Sequence, residues 1–250
     1  DVIRYVLAIQ NLWNIKPDEF ESAFRAKDVY LNARKRIDDN PWSGQPVAIV
    51  DMDDVLVDFR QSFSDWLREH YNVFADVNSE EYYFISALSK LDVNPESVFT
   101  HFMQSGGFRE LSPVKGAKEF LNNLKQEGYW IQILTARPDE NLRCLYDTFY
   151  WLDKNQFVYD DVAFSTEKFR WCAKSKYYDS ASIHFAIDDS PKHATEYAKH
   201  GINVKVPTKS YNKNLLSVDY YSCFDELLES ILNGPKKLVN LKTINKRILR

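Results

Sequence analysis

Short runs of apolar residues alternate with amphipathic segments along most of the chain. Uninterrupted apolar runs are typical of strands buried on both faces, and amphipathic segments are typical of helices on a sheet. Apolar runs fall at 47–50, 130–134, 162–164, 183–187 and 204–206, and helical patterns fall at 115–127, 139–153, 167–179 and 191–200. This alternation predicts βαβ units and therefore an α/β fold, a Rossmann-like parallel sheet flanked by helices.

The first two predicted strands are separated by an insertion of about 80 residues, far more than one crossover needs. Its apolar positions predict helices at 61–71, 79–91 and 95–104. An insertion after the first strand lies over the carboxyl ends of the strands, where open α/β sheets bind ligands. We therefore predict a small helical cap at 59–111 over a core formed by 46–58 and 112–234.

Both ends of the chain lie outside this alternation. Residues 17–38 predict a helix within an N-terminal helical extension, 1–45. The C-terminal tail, 235–250, carries six basic residues and no acidic one, and Leu241, Ile244 and Ile248 lie on one helical face. Two interpretations of the tail stay open: contact with nucleic-acid phosphates, or a docked amphipathic helix or frayed end.

Composition narrows the class of protein. The chain has 250 residues, 44% of them hydrophobic, and a net charge of −4, which is typical of a globular protein without a general affinity for nucleic acid. No apolar run reaches the roughly 18 to 20 residues of a membrane helix, so no membrane partner is expected. The three cysteines form no CxxC pair, which favours a reducing, intracellular (cytoplasmic) location.

Acidic residues directly follow two of the predicted strands. Asp51, Asp53 and Asp54 come after the first strand, and Asp188 and Asp189 come after the fourth. Parallel strands bring both groups to one edge of the sheet, where like charges repel each other unless a cation is present. A single such aspartate would more often cap a helix or fill a turn. Oxygen ligands gathered from two strands predict a Mg²⁺ site that also accepts substrate phosphate oxygens.

Two further side chains at this edge suit a phosphate group. Thr135 follows the second strand just before a helix, where its hydroxyl would either donate to phosphate or cap the helix. Lys168 lies just inside the helix after the third strand, so its amine would reach the same edge. Lys174 and Lys176 are the alternative lysines, but they lie further along that helix and should point away.

The order of these motifs resembles that of the haloacid dehalogenase-like phosphohydrolases over residues 46–212. Within that superfamily the chain is most similar to the 5′(3′)-deoxyribonucleotidases. The segments that carry the resemblance are DMDDVLVDF at 51–59, GFRELSP at 107–113, LTARP at 134–138, IDDSP at 187–191 and YN at 211–212. The position of the cap, between the first and second motifs, also matches.

The resemblance implies a Mg²⁺-dependent phosphoric monoester hydrolase, most like a 5′-nucleotidase for (deoxy)nucleoside monophosphates. Asp51 would attack phosphorus and form an aspartyl-phosphate, and Asp53 would protonate the leaving group and then activate water. Thr135 and Lys168 would neutralise the phosphoryl oxygens. The implied metal ligands are Asp51, the backbone carbonyl of Asp53 and Asp189, while Asp188 would either support Asp189 or exchange roles with it.

The implied substrate pocket combines core and cap residues. Its members are Phe59, which would stack on a base, Ala136, Arg137 and Arg109, although Arg109 is alternatively a surface residue. Further aromatic candidates, which would otherwise pack inside the cap, are Tyr82, Tyr83, Phe84 and Phe108.

Two other hypotheses stay open. An enzyme of the same superfamily could act on a sugar phosphate or on a nucleic-acid 3′-phosphate, and only the basic tail offers contacts for nucleic acid. The domain could also be a non-catalytic module of a larger protein, although gathering carboxylates without a purpose is costly. The expected partner is a small phosphomonoester, and the oligomeric state is left open.

Overall fold

A computed structural model describes residues 16–177 and 182–234, together with Arg4 and Ala8 as isolated positions. Its strands are β1 (Val47–Val50), β2 (Trp130–Thr135), β3 (Asp161–Phe164), β4 (Ile183–Ile187), β5 (Val204–Pro207) and β6 (Asp219–Tyr221). They form one six-stranded sheet in the order β3-β2-β1-β4-β5-β6. Every neighbouring pair is parallel, so the predicted α/β fold with a parallel sheet is confirmed.

Helices precede, interrupt and follow this sheet. They are α1 (Pro17–Asp39), α2 (Phe59–Tyr71), α3 (Ile85–Leu88), α4 (Pro95–Gln104), α5 (Ala117–Gln126), α6 (Leu142–Lys154), α7 (Lys168–Lys174), α8 (Pro191–Lys199) and α9 (Phe224–Asn233). Helices α2 to α4 lie in the insertion between β1 and β2, where the cap is predicted. The division of the chain into extension, core, cap and tail stays a prediction.

The central strand β1 lies between β2 and β4. Val50 pairs with Ile133 on one side and with Ile187 on the other, so the residues that follow these strands meet at one edge. All residues of β1, β2 and β4 are buried, because helices cover both faces of the sheet. This burial explains why these strands are continuous apolar runs in the sequence.

Side chains of β1 alternate between two cores. Ala48 and Val50 face a core shared with α5, α6 and the aromatic residues of α2 and α4, whereas Val47 and Ile49 face a second core with α7 and α8. The insertion therefore packs directly on one side of the sheet. Within the described part of the chain, no helix has the length and apolarity that crossing a membrane requires.

The predicted helix at 79–91 is wrong for most of its length, because only α3 is helical there. The buried side chain of Arg60 takes the backbone carbonyls that a helix would need. Its guanidinium donates to the carbonyls of Val77, Ser79, Glu81 and Tyr82. Phe84 then takes a left-handed conformation (φ 52°), which delays the start of the helix until Ile85.

Other boundaries differ at the ends of elements. The helix predicted at 167–179 ends at Lys174, where Ser175 turns to an extended backbone, and residues 178–181 lie outside the described part. Strand β6 was not predicted, because it has three residues, two of them exposed. Helix α1 confirms the helix predicted at 17–38, while most of 1–15 and the tail 235–250 lie outside the described residues.

Candidate active site

The turn after β1 places Asp51 and Asp53 at the carboxyl edge of the sheet. The Asp51 amide donates to the Ile187 carbonyl of β4 at 3.0 Å, which extends the strand pairing by one residue. Asp54 takes the left-handed conformation (φ 55°) that the turn requires, and aspartate tolerates this conformation better than most residues. The carbonyl of Met52 closes the turn by accepting from the amides of Val55, Leu56 and Val57.

Lys168 joins the two acidic motifs. Its Nζ lies 2.7 Å from Oδ1 of Asp51 and 2.7 Å from Oδ2 of Asp188, and the lysine is 1% exposed. It is the first residue of α7, which directs its side chain toward the edge of the sheet. Lys176 instead lies over the ring of Trp130, 4.3 Å from the centroid. Lys168 is therefore the lysine that meets the acidic motifs, and its contact with phosphate stays a prediction.

Burial dominates the electrostatics of this acidic cluster, which we define as Asp51, Asp188 and Asp189. Burial raises the pKa of Asp51 to about 6; Lys168 opposes the rise, and the charges of Asp188 and Asp53 add to it. Burial also raises the pKa of Asp188 and, more strongly, that of Asp189. For Lys168 burial acts to lower the pKa, but the two neighbouring carboxylates outweigh it and the pKa is raised.

The acidic cluster fits a metal ion. Each of its three residues offers a carboxylate oxygen, and these oxygens lie within 4.8 Å of one another. Oδ1 of Asp189 is buried and has no hydrogen-bond partner among the described residues, although buried carboxylate oxygens normally have one. A cation would satisfy this oxygen and relieve the repulsion, and a donor set made only of oxygen suits Mg²⁺ or a similar hard cation.

Tyr211 and Asn212 support the acidic cluster from the segment after β5. The hydroxyl of Tyr211 donates to Oδ2 of Asp189 at 2.7 Å, and Nδ2 of Asn212 donates to the Asp189 carbonyl at 3.0 Å. The sequence showed both residues as part of the family resemblance, but it assigned them no role. The signal that could have found them is their position just after a parallel strand, at the same edge as the acidic motifs.

Arg137 binds Asp53 rather than standing free at the edge of the sheet. Its Nε donates to Oδ2 of Asp53 at 2.9 Å, and its Nη2 donates to Oδ1 at 2.6 Å. Its Nη1 donates to Oγ1 of Thr148 on α6 at 3.0 Å. Because the Asp53 carboxylate faces Arg137, the backbone carbonyl is the atom left for the metal contact that the resemblance implies, and that contact stays a prediction.

Thr135 and Ala136 follow each other at the end of β2. Thr135 is fully buried, and its Oγ1 accepts a hydrogen bond from the Arg137 amide at 3.3 Å. The hydroxyl proton of Thr135 is left to donate to another acceptor. Ala136 is exposed. Their contacts with a phosphate group stay predictions.

Arg109, at the end of the insertion, forms contacts with other parts of the fold. Its Nη2 lies 2.7 Å from Oδ1 of the fully buried Asp147, and its Nη1 donates to Oγ of Ser22 on α1 at 3.2 Å. Its guanidinium also lies over the ring of Tyr150, 4.4 Å from the centroid. These contacts tie the insertion to α1 and α6, and a contact between Arg109 and substrate stays a prediction.

Phe59 begins α2 in a cluster of aromatic rings. Its ring stacks on Phe63 and Phe108 with centroids 5.5 Å and 6.1 Å apart, and it is half-buried. Phe84 and Phe108 are 3% and 1% exposed, so both pack inside the cap. Phe59 keeps part of its surface accessible, and its stacking on a base stays a prediction.

The segment 77–84, here called the cap loop, lies over the edge of the sheet. Arg60 holds its carbonyls, and the Ser79 carbonyl also accepts from Oγ of Ser210 at 2.7 Å. The ring of Tyr82 packs edge to face on that of Tyr211, with the ring centroids 5.3 Å apart. Burial and the nearby carboxylates, Asp189 first, raise the pKa of Tyr82, so its hydroxyl keeps its proton.

A parallel sheet that gathers aspartates, a buried lysine and a threonine at its carboxyl edge defines the haloacid dehalogenase-like class of hydrolases. Residues 45–231 match the model of the family described as 5′ nucleotidase, deoxy (pyrimidine), cytosolic type C. The match covers most of the chain, and the chain belongs to this family. It is accordingly a phosphoric monoester hydrolase of the nucleotidase type, which agrees with the resemblance found in the sequence.

Individual relatives differ widely in sequence. A Bacillus cereus protein named "Putative nucleotidase" is 26% identical over 172 residues, which cover 66% of this chain and 87% of the relative. The crystal structure of a predicted phosphatase from Clostridium acetobutylicum aligns with a TM-score of 0.56 and 15% identity, over 76% of this chain and 100% of that chain. A HAD family hydrolase from Deinococcus radiodurans, with bound phosphate and sodium, aligns with a TM-score of 0.53 and 14% identity, over 76% and 96%. At such identities the two structures support the fold alone.

Proposed function

We propose that this chain is a Mg²⁺-dependent 5′-nucleotidase that hydrolyses (deoxy)nucleoside monophosphates through an aspartyl-phosphate on Asp51. The observation that carries the proposal is the contact of one buried lysine with carboxylates from two strand ends, Asp51 and Asp188. Family membership supports a nucleotide as substrate, and the acidic cluster supports the divalent cation.

The first step divides its work between two residues of one turn. An oxygen of Asp51 attacks phosphorus, and the bond between phosphorus and the ester oxygen breaks. The leaving alkoxide takes a proton from Asp53, so the nucleoside departs as an alcohol. The charge on the phosphoryl oxygens is met by the Lys168 ammonium and the Thr135 hydroxyl, which converge on this edge.

The second step returns the enzyme to its starting form. Asp53 takes a proton from a water molecule, and the water oxygen attacks phosphorus. The bond between phosphorus and Asp51 breaks, and inorganic phosphate leaves with the added oxygen. Mg²⁺ held by Asp51, Asp188, Asp189 and the Asp53 carbonyl would supply positive charge next to the phosphoryl oxygens.

The nucleoside end of the substrate would extend toward the cap. Phe59 lies at the start of α2, beside the turn that carries Asp51 and Asp53, and part of its ring is accessible. We propose that Phe59 stacks on the base and that Ala136 contributes its backbone to the phosphate pocket. The three cysteines Cys144, Cys172 and Cys223 are free, which agrees with the proposed intracellular location.

Phosphate release from a panel of monophosphates tests the proposal. The panel holds deoxyribonucleotides and ribonucleotides with purine and pyrimidine bases, 5′ and 3′ esters, sugar phosphates and a DNA 3′-phosphate, each with Mg²⁺ or with EDTA. We expect Mg²⁺-dependent release that is fastest for 5′-nucleotides. Preference for a sugar phosphate or a DNA end would replace the substrate, and release unaffected by EDTA would reject the metal-dependent mechanism.

A further inference from the structure

Each of the three nitrogen atoms of the Arg137 guanidinium has a protein partner. Two of its nitrogen atoms donate to the two oxygens of Asp53 at 2.6 Å and 2.9 Å, and the third donates to Thr148 at 3.0 Å. One face of the guanidinium lies over the ring of Phe108, 4.3 Å from the centroid. The Arg137 side chain is 1% exposed, whereas that of Asp53 is 28% exposed.

From this geometry we propose that Arg137 is a positioning residue that holds the carboxylate of Asp53 for proton transfer, and that it does not bind the substrate. The inference rests on the proposed function, in which Asp53 is the acid and base. It changes the role that the sequence implied for Arg137, because a guanidinium enclosed by Asp53, Thr148 and Phe108 presents no exposed face to a ligand.

The shape of the arginine side chain explains how it would position Asp53. A guanidinium and a carboxylate that form two parallel hydrogen bonds share one plane, so the pair fixes the rotation of the carboxylate as well as its position. The ammonium of a lysine would fix neither, because it is a point charge on a flexible stem. Asp53 is the partly exposed member of the pair, so its carboxylate remains accessible.

The ion pair between Arg137 and Asp53 also connects Asp53 to the strand that carries Thr135. The Arg137 amide donates to Oγ1 of Thr135, two residues earlier, at 3.3 Å. Residue 137 is 84 positions from Asp53 in the chain, so this pair joins the ends of β1 and β2. The carboxylate that would transfer protons and the hydroxyl that would bind phosphate are therefore held by one turn.

The substitution Arg137→Lys tests this role, with Arg143→Lys as the matched control. Arg143 forms an ion pair with the buried Asp147, its Nε lying 2.7 Å from Oδ2, so the control makes the same chemical change in another arginine–aspartate pair. Proton transfer by a positioned side chain contributes roughly 10²- to 10⁴-fold to a rate. We expect Arg137→Lys to lower kcat about 10- to 100-fold, with KM changed less than about 2-fold, and the control to change neither.

Binding without turnover supplies a second readout. In an Asp51→Asn background, which keeps the pair between Arg137 and Asp53, we expect Arg137→Lys to leave the Kd of a nucleoside monophosphate within about 2-fold in calorimetry with Mg²⁺. A Kd weakened about 10-fold or more, or a raised KM with unchanged kcat, would make Arg137 a substrate ligand and overturn the inference. Unchanged kcat and KM would overturn it as well.

Two further results separate failure of the inference from other failures. If the wild-type chain releases no phosphate from any compound in the panel, the proposed function fails; normal wild-type activity with an unaffected Arg137→Lys variant means that the inference alone fails.

If circular dichroism shows that Arg137→Lys does not fold, the variant Thr148→Val decides, because it removes the acceptor of Arg137 Nη1 and leaves the ion pair between Arg137 and Asp53. A lower kcat with unchanged KM supports the inference, and any other result for Thr148→Val rejects it.

Discussion

The substitution Asp51→Asn should abolish turnover and stabilise the metal-free fold at the same time. Asparagine has nearly the same volume as aspartate, but it cannot form the aspartyl-phosphate. Asp51 is 6% exposed, and burial raises its pKa to about 6 despite the neighbouring Lys168. The ionised carboxylate is therefore less favourable in the folded chain than in the unfolded chain, and the neutral amide avoids this cost.

The size of the stabilisation follows from the pKa. The ordinary value is 3.8 and the folded chain has a value of about 6. At roughly 1.4 kcal/mol for each pKa unit, ionised Asp51 costs the folded chain about 3 kcal/mol. Because the folded value is the higher one, this cost is absent below about pH 4, grows between pH 4 and pH 6 and is complete above pH 6. Lys168 retains Asp188 as a partner, so the substitution does not leave the ammonium unpaired.

Urea denaturation in EDTA measures this effect, and phosphate release with Mg²⁺ measures turnover. We expect Asp51→Asn to raise the free energy of unfolding by up to about 3 kcal/mol at pH 7.5 and by close to nothing at pH 4. Asp65→Asn, an exposed carboxylate on α2, is the control and should change stability by less than about 0.5 kcal/mol. A variant less stable than wild type at pH 7.5, or equally stabilised at both pH values, would refute the reasoning. Activity close to that of wild type would exclude Asp51 as the nucleophile.

Three further predictions concern the Lys168 ammonium, the metal ion and the cap loop. Lys168→Met should lower the free energy of unfolding in EDTA by about 3–5 kcal/mol, because it leaves the buried carboxylates of Asp51 and Asp188 without the Lys168 ammonium. A loss below about 1 kcal/mol in urea denaturation would contradict the contact between Lys168 and these carboxylates. Mg²⁺ should raise Tm more at pH 7.5 than at pH 5, since burial raises the pKa of the proposed ligand Asp51 to about 6 and protons compete with the metal below that value. Equal shifts at the two pH values would count against a metal site there. Arg60→Lys should destabilise the fold by about 2 kcal/mol, because an ammonium cannot donate to all the cap-loop carbonyls that the Arg60 guanidinium binds. It should also raise KM more than it lowers kcat, and an unchanged KM would exclude the cap loop from the substrate pocket.

Much of the core could be predicted from the sequence, because a strand that is buried on both faces consists of apolar residues. Strands β1, β2 and β4 are covered on both faces, so each is an uninterrupted apolar run whose limits the sequence shows closely. Strand β6 is not an apolar run, because it lies at the edge of the sheet and two of its three residues are exposed. The false helix at 79–91 had a helical pattern, but distant Arg60 takes the carbonyls of that segment.

The acidic cluster could be predicted for a related reason. A parallel sheet brings the residues after its strands to one edge, so Asp51, Asp188 and Asp189 were expected together before any distance was known. Lys168 followed from its place at the start of α7. The contacts of Arg137 and Arg109 could not be predicted, because their partners lie 84 and 38 positions away in the chain.

The sequence alone determined the parallel α/β sheet, the family, and the residue types gathered at the edge of the sheet, because the apolar periodicity and each motif lie within short segments of the chain. Tertiary structure decided which of these side chains meet. It paired Lys168 with both acidic motifs, placed Tyr211 on Asp189 and enclosed Arg137 against Asp53. Each of these contacts joins segments that are distant in the chain, and it forms only when the crossovers of the sheet bring the ends of separate strands together.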